Sequence, residues 1–336
     1  MNIVTHGLAS LALARAAWPR APKEMWIAAM AIGVIADVDS ASAWFGAASW
    51  LNWHRTYTHS LLTAILIAAG FAAGYRVMAG ISVRQRFSVA AAFVLALSAG
   101  WLHLLMDVCG WEGVALLWPF SARRFAMDWV AELDPIVIAV LLGALLFPEL
   151  LHLVSSEIGV RDKGPRGRIG ACIGFATVIL YLAMRANFHG NVIALMEARA
   201  FRGEVAKRTG AFPEALSPLA WHGIVDTERG LYLVTAMEGP ASSFDPESAE
   251  TLFKPAPSPA LDAAEKTAAA ETFLRVARFP KASVEATPAG TRVELRDLRY
   301  RAVGETIREV VAVIQLDAAN RIVSQGLFWS TALAQE

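Results

Sequence analysis

The chain has 336 residues, 56% of them hydrophobic, with a mean hydropathy of +0.44, which is too apolar for an ordinary soluble protein and points to a membrane protein. Its 30 basic and 30 acidic residues cancel, so no global field recruits nucleic acid or an anionic surface, and nucleic acid is excluded as a partner. Cys109 and Cys172 lie in apolar runs, lack the spacing of a disulfide framework or zinc knuckle, and read as small core residues.

In chain order, a short apolar segment at 3–18 comes first. Its basic residues, Arg15, Arg20 and Lys23, follow it instead of preceding it, so it does not read as a cleaved signal peptide. Stretches of bilayer-spanning length, about 17–25 residues, follow around 24–43, 58–80, 87–109, 131–154 and 168–186. With the segment at 3–18 these make five to six spans. After about residue 190, prolines, acidic residues and alternating patterns take over. The expected fold is therefore a polytopic α-helical membrane domain over 1–190, followed by a small α+β soluble domain over 191–336. Within the latter, SPALDAAEKTAAAETFLRVARF reads as a helix opened by Ser258 and Pro259, and FKPAPSPALD as a Pro-rich connector. TRVELRDLRYRAV alternates like a strand, and EVVAVIQLDAANRIVSQGLFW reads as two strands joined at Asp317–Asn320.

Short-loop basic residues favour the cytoplasmic side. Arg15, Arg20 and Lys23 share a side with Arg76, Arg84 and Arg86, and with Arg161, Lys163, Arg166 and Arg168, whereas the opposite loops hold only Arg55, Arg123 and Arg124. This assigns a multi-pass protein of the cell (inner) membrane with an extracytoplasmic C-terminal domain. Tryptophans 44, 50, 53, 111, 118 and 129 fall near the membrane surface, as an aromatic belt would.

Against this apolar background the polar residues converge on the extracytoplasmic ends of the spans. Asp37 and Asp39 end the second segment, His54 and His59 open the third, with Thr58 as a candidate N-cap, and His103 and Asp107 end the fourth. His6 and Glu132 fall on the same side. Ionisable residues in membrane segments are costly and usually serve function, and His103 and Asp107, four apart, share a helical face. Taken singly, His6 could be a helix-start contact and Asp39 a cap. Together, imidazole and carboxylate suit zinc, manganese or iron, as one or two ions, which lower the pKa of a bound water to about 7. Arg55 is either an interfacial cation or a clamp for a substrate anion, and Asp37 and Glu132 are candidates to move protons.

THGLAS near the N-terminus, ADVD at 36–39, HRTYTHS at 54–60 and HLLMD at 103–107, in that order on apolar segments, resemble the YdjM-like family of membrane-bound metal-dependent hydrolases. The resemblance implies that His6, Asp39, His54, His59, His103 and Asp107 belong to a metal centre, with Asp37 a further ligand. Family members often have Pro and His where this chain has Ala36 and Ser40. FPEALSPLAWHGIVDTERGLYLV is similar to the start of the C-terminal region of long members. A more distant similarity, to the zinc-dependent phospholipase C and nuclease superfamily, implies phosphoester chemistry, with Glu112, Glu132 and Asp134 as substitutes for its later ligands. The expected function is metal-dependent hydrolysis at the extracytoplasmic membrane surface, on a phosphoester or other ester of a lipid or amphiphilic substrate, with membrane lipid as partner. The alternatives are a metal transporter or sensor, and a membrane scaffold with a structural metal.

Overall fold

A computed structural model describes residues 1–81, 87–157, 167–237, 244–302 and 308–331. Arg84, Arg86, Arg161, Lys163 and Arg166, which entered the charge-bias argument, lie outside the described residues. The chain forms two compact units, one of 1–39 with 55–186 and the other of 40–54 with 187–336.

The first unit is helical. α1 (Ile3–Ala17) starts at Asn2, whose side chain accepts from the Thr5 backbone N–H, supplying one of the partners a helix start lacks. α2 (Lys23–Ile35) runs into a 3-10 segment, Ala36–Phe45, carrying Asp37 and Asp39. α4 (Leu61–Ile81), α5 (Val89–Cys109), α6 (Pro135–Glu157) and α7 (Arg168–Glu197) follow, after the short α3 (Ala47–Trp53) of the second unit. Five segments among the described residues are long and apolar enough to cross a membrane, namely Lys23–Phe45, Leu61–Met78, Val89–Cys109, Pro135–Leu153 and Arg168–Glu197, while Ile3–Ala17 is shorter. Their outward faces are rich in exposed Leu, Ile and Val, such as Leu66, Leu146 and Ile179, as lipid-facing helices require. Two buried clusters hold the unit together. One packs α1, α5, α6 and α7 around Leu141, Leu145 and Cys109, and the other packs α2, α4 and α5 around Ala68, Leu95 and Ala99. Asp134 opens α6, its carboxylate accepting from the backbone N–H groups of Ile136 and Val137 and from the Tyr181 hydroxyl.

The second unit contains two four-stranded antiparallel meanders. β1 (Arg208–Pro213), β2 (Ala220–Asp226), β3 (Gly230–Met237) and β4 (Glu250–Phe253) form the first. β5 (Pro280–Thr287), β6 (Gly290–Asp297), β7 (Arg308–Leu316) and β8 (Ile322–Thr331) form the second, with α8 (Pro259–Glu265) and α9 (Ala268–Leu274) on one face. α3 packs in this same core through Ala47 and Leu51.

Several expectations change. The single helix read over 258–279 is two, because Thr267 stops α8 and caps α9, accepting from the Ala270 N–H. The strand read over 291–303 ends at Asp297, whose carboxylate accepts from the Arg299 N–H and turns the chain into α10 (Leu298–Ala302). The β7–β8 turn is as expected, with Asn320 at φ 57° and the Asp317 carboxylate accepting from the Ala319 and Arg321 N–H groups. Cys109 is buried but Cys172 is exposed on α7, where lipid-facing apolar residues need no internal contact. Of the tryptophans, Trp111 is buried and Trp50 packs on the core of the second unit, so neither stands at an outer surface as a belt residue would.

Candidate metal centre

The first unit brings four segments together at one end of its bundle. α1 contributes His6 from its first turns, the 3-10 segment after α2 contributes Asp37, the turn before α4 contributes His59, and the last turns of α5 contribute His103 and Asp107. His6, Asp37, His103 and Asp107 each offer a ligand atom, all within 4.8 Å of one another. His6 Nε2 lies 3.1 Å from Asp107 Oδ1, and His103 Nε2 lies 3.2 Å from Asp107 Oδ2 and 3.8 Å from Asp37 Oδ1. The His6 and His103 rings stack with centroids 3.8 Å apart. His6, His103 and Asp107 are fully buried, and Asp37 is nearly so.

The orientation of the two inner histidines follows from what lies behind them. His103 Nδ1 is 2.7 Å from the Gly33 carbonyl. A carbonyl only accepts, so Nδ1 carries the proton and Nε2 turns a lone pair toward the carboxylates. His59 Nδ1 lies 2.9 Å from Asp39 Oδ2, leaving Nε2 at 3.3 Å from Asp107 Oδ2 and 3.6 Å from Asp37 Oδ1. Asp39 is therefore a support: its Oδ2 also accepts from the Thr58 hydroxyl at 2.6 Å and the Arg55 N–H at 2.9 Å. Three residues per 3-10 turn send Asp37 and Asp39, two apart, to different sides, one to the cluster and one behind it. Thr58 does not cap α4. Ser60 does, accepting from the Thr63 N–H, which frees the Thr58 hydroxyl for Asp39.

Arg55 is buried at φ 55°, with Nε 2.9 Å from Glu112 and Nη1 3.5 Å from Asp107. Burial works against its charge, but Asp107 and Glu112, with Glu132 and Asp37, outweigh it and raise its pKa above the ordinary arginine value. It remains a cation. The Met1 amino group also reaches Asp107, and the Glu132 carbonyl accepts from the Asn2 N–H.

The donor set fits a divalent ion on two observations. His6 Nδ1, Asp37 Oδ2, His103 Nε2 and Asp107 Oδ2 are buried without a hydrogen-bond partner, a costly state for polar atoms unless something else engages them. Charge points the same way. Asp37, Asp39 and Asp107 surround His59, and Asp107 and Glu112 flank Arg55, a concentration of carboxylates that a cation would stabilise.

Of the residues expected from sequence, His6, Asp37, His103 and Asp107 form the group, His59 borders it and Asp39 backs it. His54 belongs to the second unit and stacks on Trp50 with centroids 3.7 Å apart, outside the group. Asp134 is engaged in capping α6. The residue the sequence did not offer is Gly33, since a backbone carbonyl carries no side-chain signature. The only hint was an isolated glycine inside an apolar helix, which often marks close backbone approach.

A family model described as YdjM inner membrane protein matches residues 1–192, and one described as YfhP C-terminal alpha/beta plait domain matches residues 259–335. No curated protein and no solved structure matches the chain.

Proposed function

The chain belongs to the YdjM inner membrane protein family, and from that membership and its buried histidine–aspartate cluster we propose that it is a membrane-embedded metal-dependent hydrolase. His6, Asp37, His103 and Asp107 would hold one or two divalent ions, with His59 completing the set. Nitrogen and carboxylate oxygen favour zinc, with manganese or iron as alternatives. Such an ion supplies Lewis acidity and a water acidified to about pKa 7.

The protein's own residues do the rest. Gly33 and Asp39 hold His103 and His59 in one tautomer each. Arg55, held by Glu112, balances the negative charge that develops on a phosphoester or carboxylic ester as its bond to the leaving group breaks. Asp37, on the less buried side of the group, takes the proton from water or gives it to the leaving group, with Glu132 as the alternative. A site at the end of membrane helices suits a lipid or amphiphile, whose head group lies at that level. The basic residues Arg15, Arg20, Lys23 and Arg76 at the opposite helix ends favour an extracytoplasmic site by the positive-inside tendency, and with it an extracytoplasmic C-terminal unit.

The observation that carries the proposal is the set of four buried ligand atoms without a hydrogen-bond partner on three separate segments. The test is metal analysis of detergent-purified protein beside His103→Ala and Asp107→Ala, all shown to be folded, followed by phosphodiester and lipase substrates with the bound ion. Stoichiometric metal lost in both variants, together with metal-dependent turnover, is the expected outcome. Metal-free wild type after reconstitution would refute the centre. Bound metal without turnover on any substrate would instead leave a structural site.

A further inference from the structure

The metal centre leaves one charged motif of the first unit unused. Of the three arginines in the short loops at its end of the spans, Arg55 is buried against Glu112 and Asp107, whereas Arg123 and Arg124 stand in SARRFAM, residues 121–127, between α5 and α6. Basic residues are scarce at that end, so an adjacent pair there asks for an explanation. Their loop is firmly based. Its first limb is bonded to the turn before α4, where the Arg55 carbonyl accepts from the Ala115 N–H at 3.0 Å and the Leu61 N–H donates to the Leu116 carbonyl at 3.0 Å. Its second limb pairs with the first between Val114 and Phe125 and then meets the end of α5. There the Val108 carbonyl accepts from the Met127 N–H at 2.7 Å and the Cys109 carbonyl from the Trp129 N–H at 2.9 Å. Arg124 Nη2 donates to the Thr56 hydroxyl oxygen at 3.1 Å.

The tip of the loop is apolar and exposed. The Leu117 carbonyl accepts from the Phe120 and Ser121 N–H groups, a turn that puts Leu117 and Phe120, three apart, on one side. Phe120 is 87% exposed and Leu117 45%. Arg123 is exposed three residues further on, its guanidinium 5.4 Å from the centre of the Phe125 ring. The base fixes the level of the loop, since Leu61 opens the span Leu61–Met78 and Cys109 closes the span Val89–Cys109. The loop therefore starts where hydrocarbon meets water. A Phe and a Leu that stand out at that boundary gain by entering the acyl region, and a cation beside them gains by meeting phosphate. A soluble anion would satisfy Arg123 but leave Phe120 and Leu117 in water. A lipid without net charge would do the reverse. An anionic phospholipid satisfies both.

We infer that the loop 114–125 is an interfacial wedge that binds anionic phospholipid, with Leu117 and Phe120 among the acyl chains and Arg123 at the phosphate. This surface goes beyond the hydrolase reading and does not depend on it. Through Ala115 on the Arg55 carbonyl and Arg124 on Thr56, the loop is joined to the turn that holds Arg55 and His59, so a lipid gathered on it lies beside the centre. Anionic phospholipids then become the substrate class, a step that does rest on the hydrolase reading.

The test uses the full-length protein with the exposed Cys172 replaced by alanine and the exposed Ala122 by cysteine, labelled there with bimane. It is placed in phosphatidylcholine nanodiscs that carry a doxyl quencher, at equal mole fraction, on either phosphatidylglycerol or phosphatidylcholine. Bimane should be quenched in both discs, and at low salt about two- to fivefold more steeply by the phosphatidylglycerol quencher, the enrichment that one basic residue gives beside an anionic head group. Arg123→Gln should bring that ratio to about one and Arg123→Glu below it, while Phe120→Ser should weaken quenching in both discs. A ratio of about one with Arg123 in place, or a ratio that Arg123→Glu leaves unchanged, overturns the inference. Bimane unquenched by either lipid overturns it too, placing the loop in water if aqueous iodide reaches the dye and under a protein partner if iodide does not. Metal content separates the two readings. Selective quenching in a protein that binds no metal supports the wedge and refutes the hydrolase reading, and metal-dependent turnover at a ratio of about one does the reverse.

Discussion

The tightest packing at the centre is at Gly33, and it yields the sharpest prediction. A Cβ at this position would lie 1.9 Å from Ser10 Oγ and 2.5 Å from Ser10 Cβ. Rotation of Ser10 relieves the first contact but not the second, so Gly33→Ala must push α1 and α2 apart. Overpacking of this kind costs about 1–3 kcal/mol, offset by about 1 kcal/mol of helix propensity gained by alanine over glycine. Net stability therefore falls by about 2 kcal/mol at most. The larger effect is at His103, whose Nδ1 depends on the Gly33 carbonyl at 2.7 Å. Loss of such an orienting partner typically lowers metal affinity about 10- to 100-fold. Chelator competition on the purified variant measures that affinity, and the spectrum of the cobalt-substituted protein reports the ligand geometry. Adding Ser10→Gly removes both clashing atoms and should restore most of the affinity, which a merely structural defect would not show. A Gly33→Ala protein whose metal affinity stays within twofold of wild type refutes the role of Gly33.

Asp39→Ala removes the acceptor of His59 Nδ1, the Thr58 hydroxyl and the Arg55 N–H. Metal affinity should fall about 10- to 100-fold yet remain measurable, whereas loss as complete as in Asp107→Ala would make Asp39 a direct ligand. In the second unit, burial raises the Asp297 pKa, but Arg299 and the backbone N–H donors outweigh it and hold it below the ordinary value. Its contribution to stability is therefore present above the unfolded value near 3.8 and lost as pH falls through the folded value. Asp297→Asn should cost about 3–5 kcal/mol at neutral pH, because it strands buried Arg299, and should remove part of the acid limb of the unfolding profile below about pH 4. An acid limb unchanged in the variant would assign it to other carboxylates. Leu51→Ala, in a segment that packs with β8 and α9, should destabilise the second unit by about 2–5 kcal/mol in thermal unfolding, and a change under 1 kcal/mol would mean that α3 is not part of that core.

What could be read ahead of the structure follows from which signals survive in one dimension. Hydropathy over twenty residues is local, so the five spans were visible, and His103 with Asp107 could be placed on one face because four residues make one helical turn. Whether His6, from the other end of α1, meets them depends on helix packing; what the sequence supplied was the shared level of the helix ends, not the 3.1 Å contact with Asp107. Residues two apart lie on different sides of an α-helix or a 3-10 helix alike, so the separation of Asp37 from Asp39 was legible; which of them faces the cluster was hidden, because it depends on how α2 and the segment after it pack against α1 and α5.

The second unit shows the opposite limit. The β7–β8 hairpin was legible from alternation and a turn of Asp and Asn, but β1–β4 carried no comparable pattern. Ala211, Phe212 and Pro213 run buried in succession in β1, so period-two alternation is lost. Nor could alternation foresee that Arg299, two residues beyond the end of β6, is buried against the Asp297 carboxylate. A charge in such a pattern reads as a solvent-facing position, and only the carboxylate that meets it lets it be buried. The same reasoning holds at the metal centre, where Asp107 is tolerable at 0% exposure because His103 on its own helix and His6, His59 and Arg55 from two other segments converge on it. In both units the residues most opaque to pattern are buried charges, whose environment is made by partners that only the folded chain sets in place, most of them remote in sequence for Asp107 but only two residues away for Arg299.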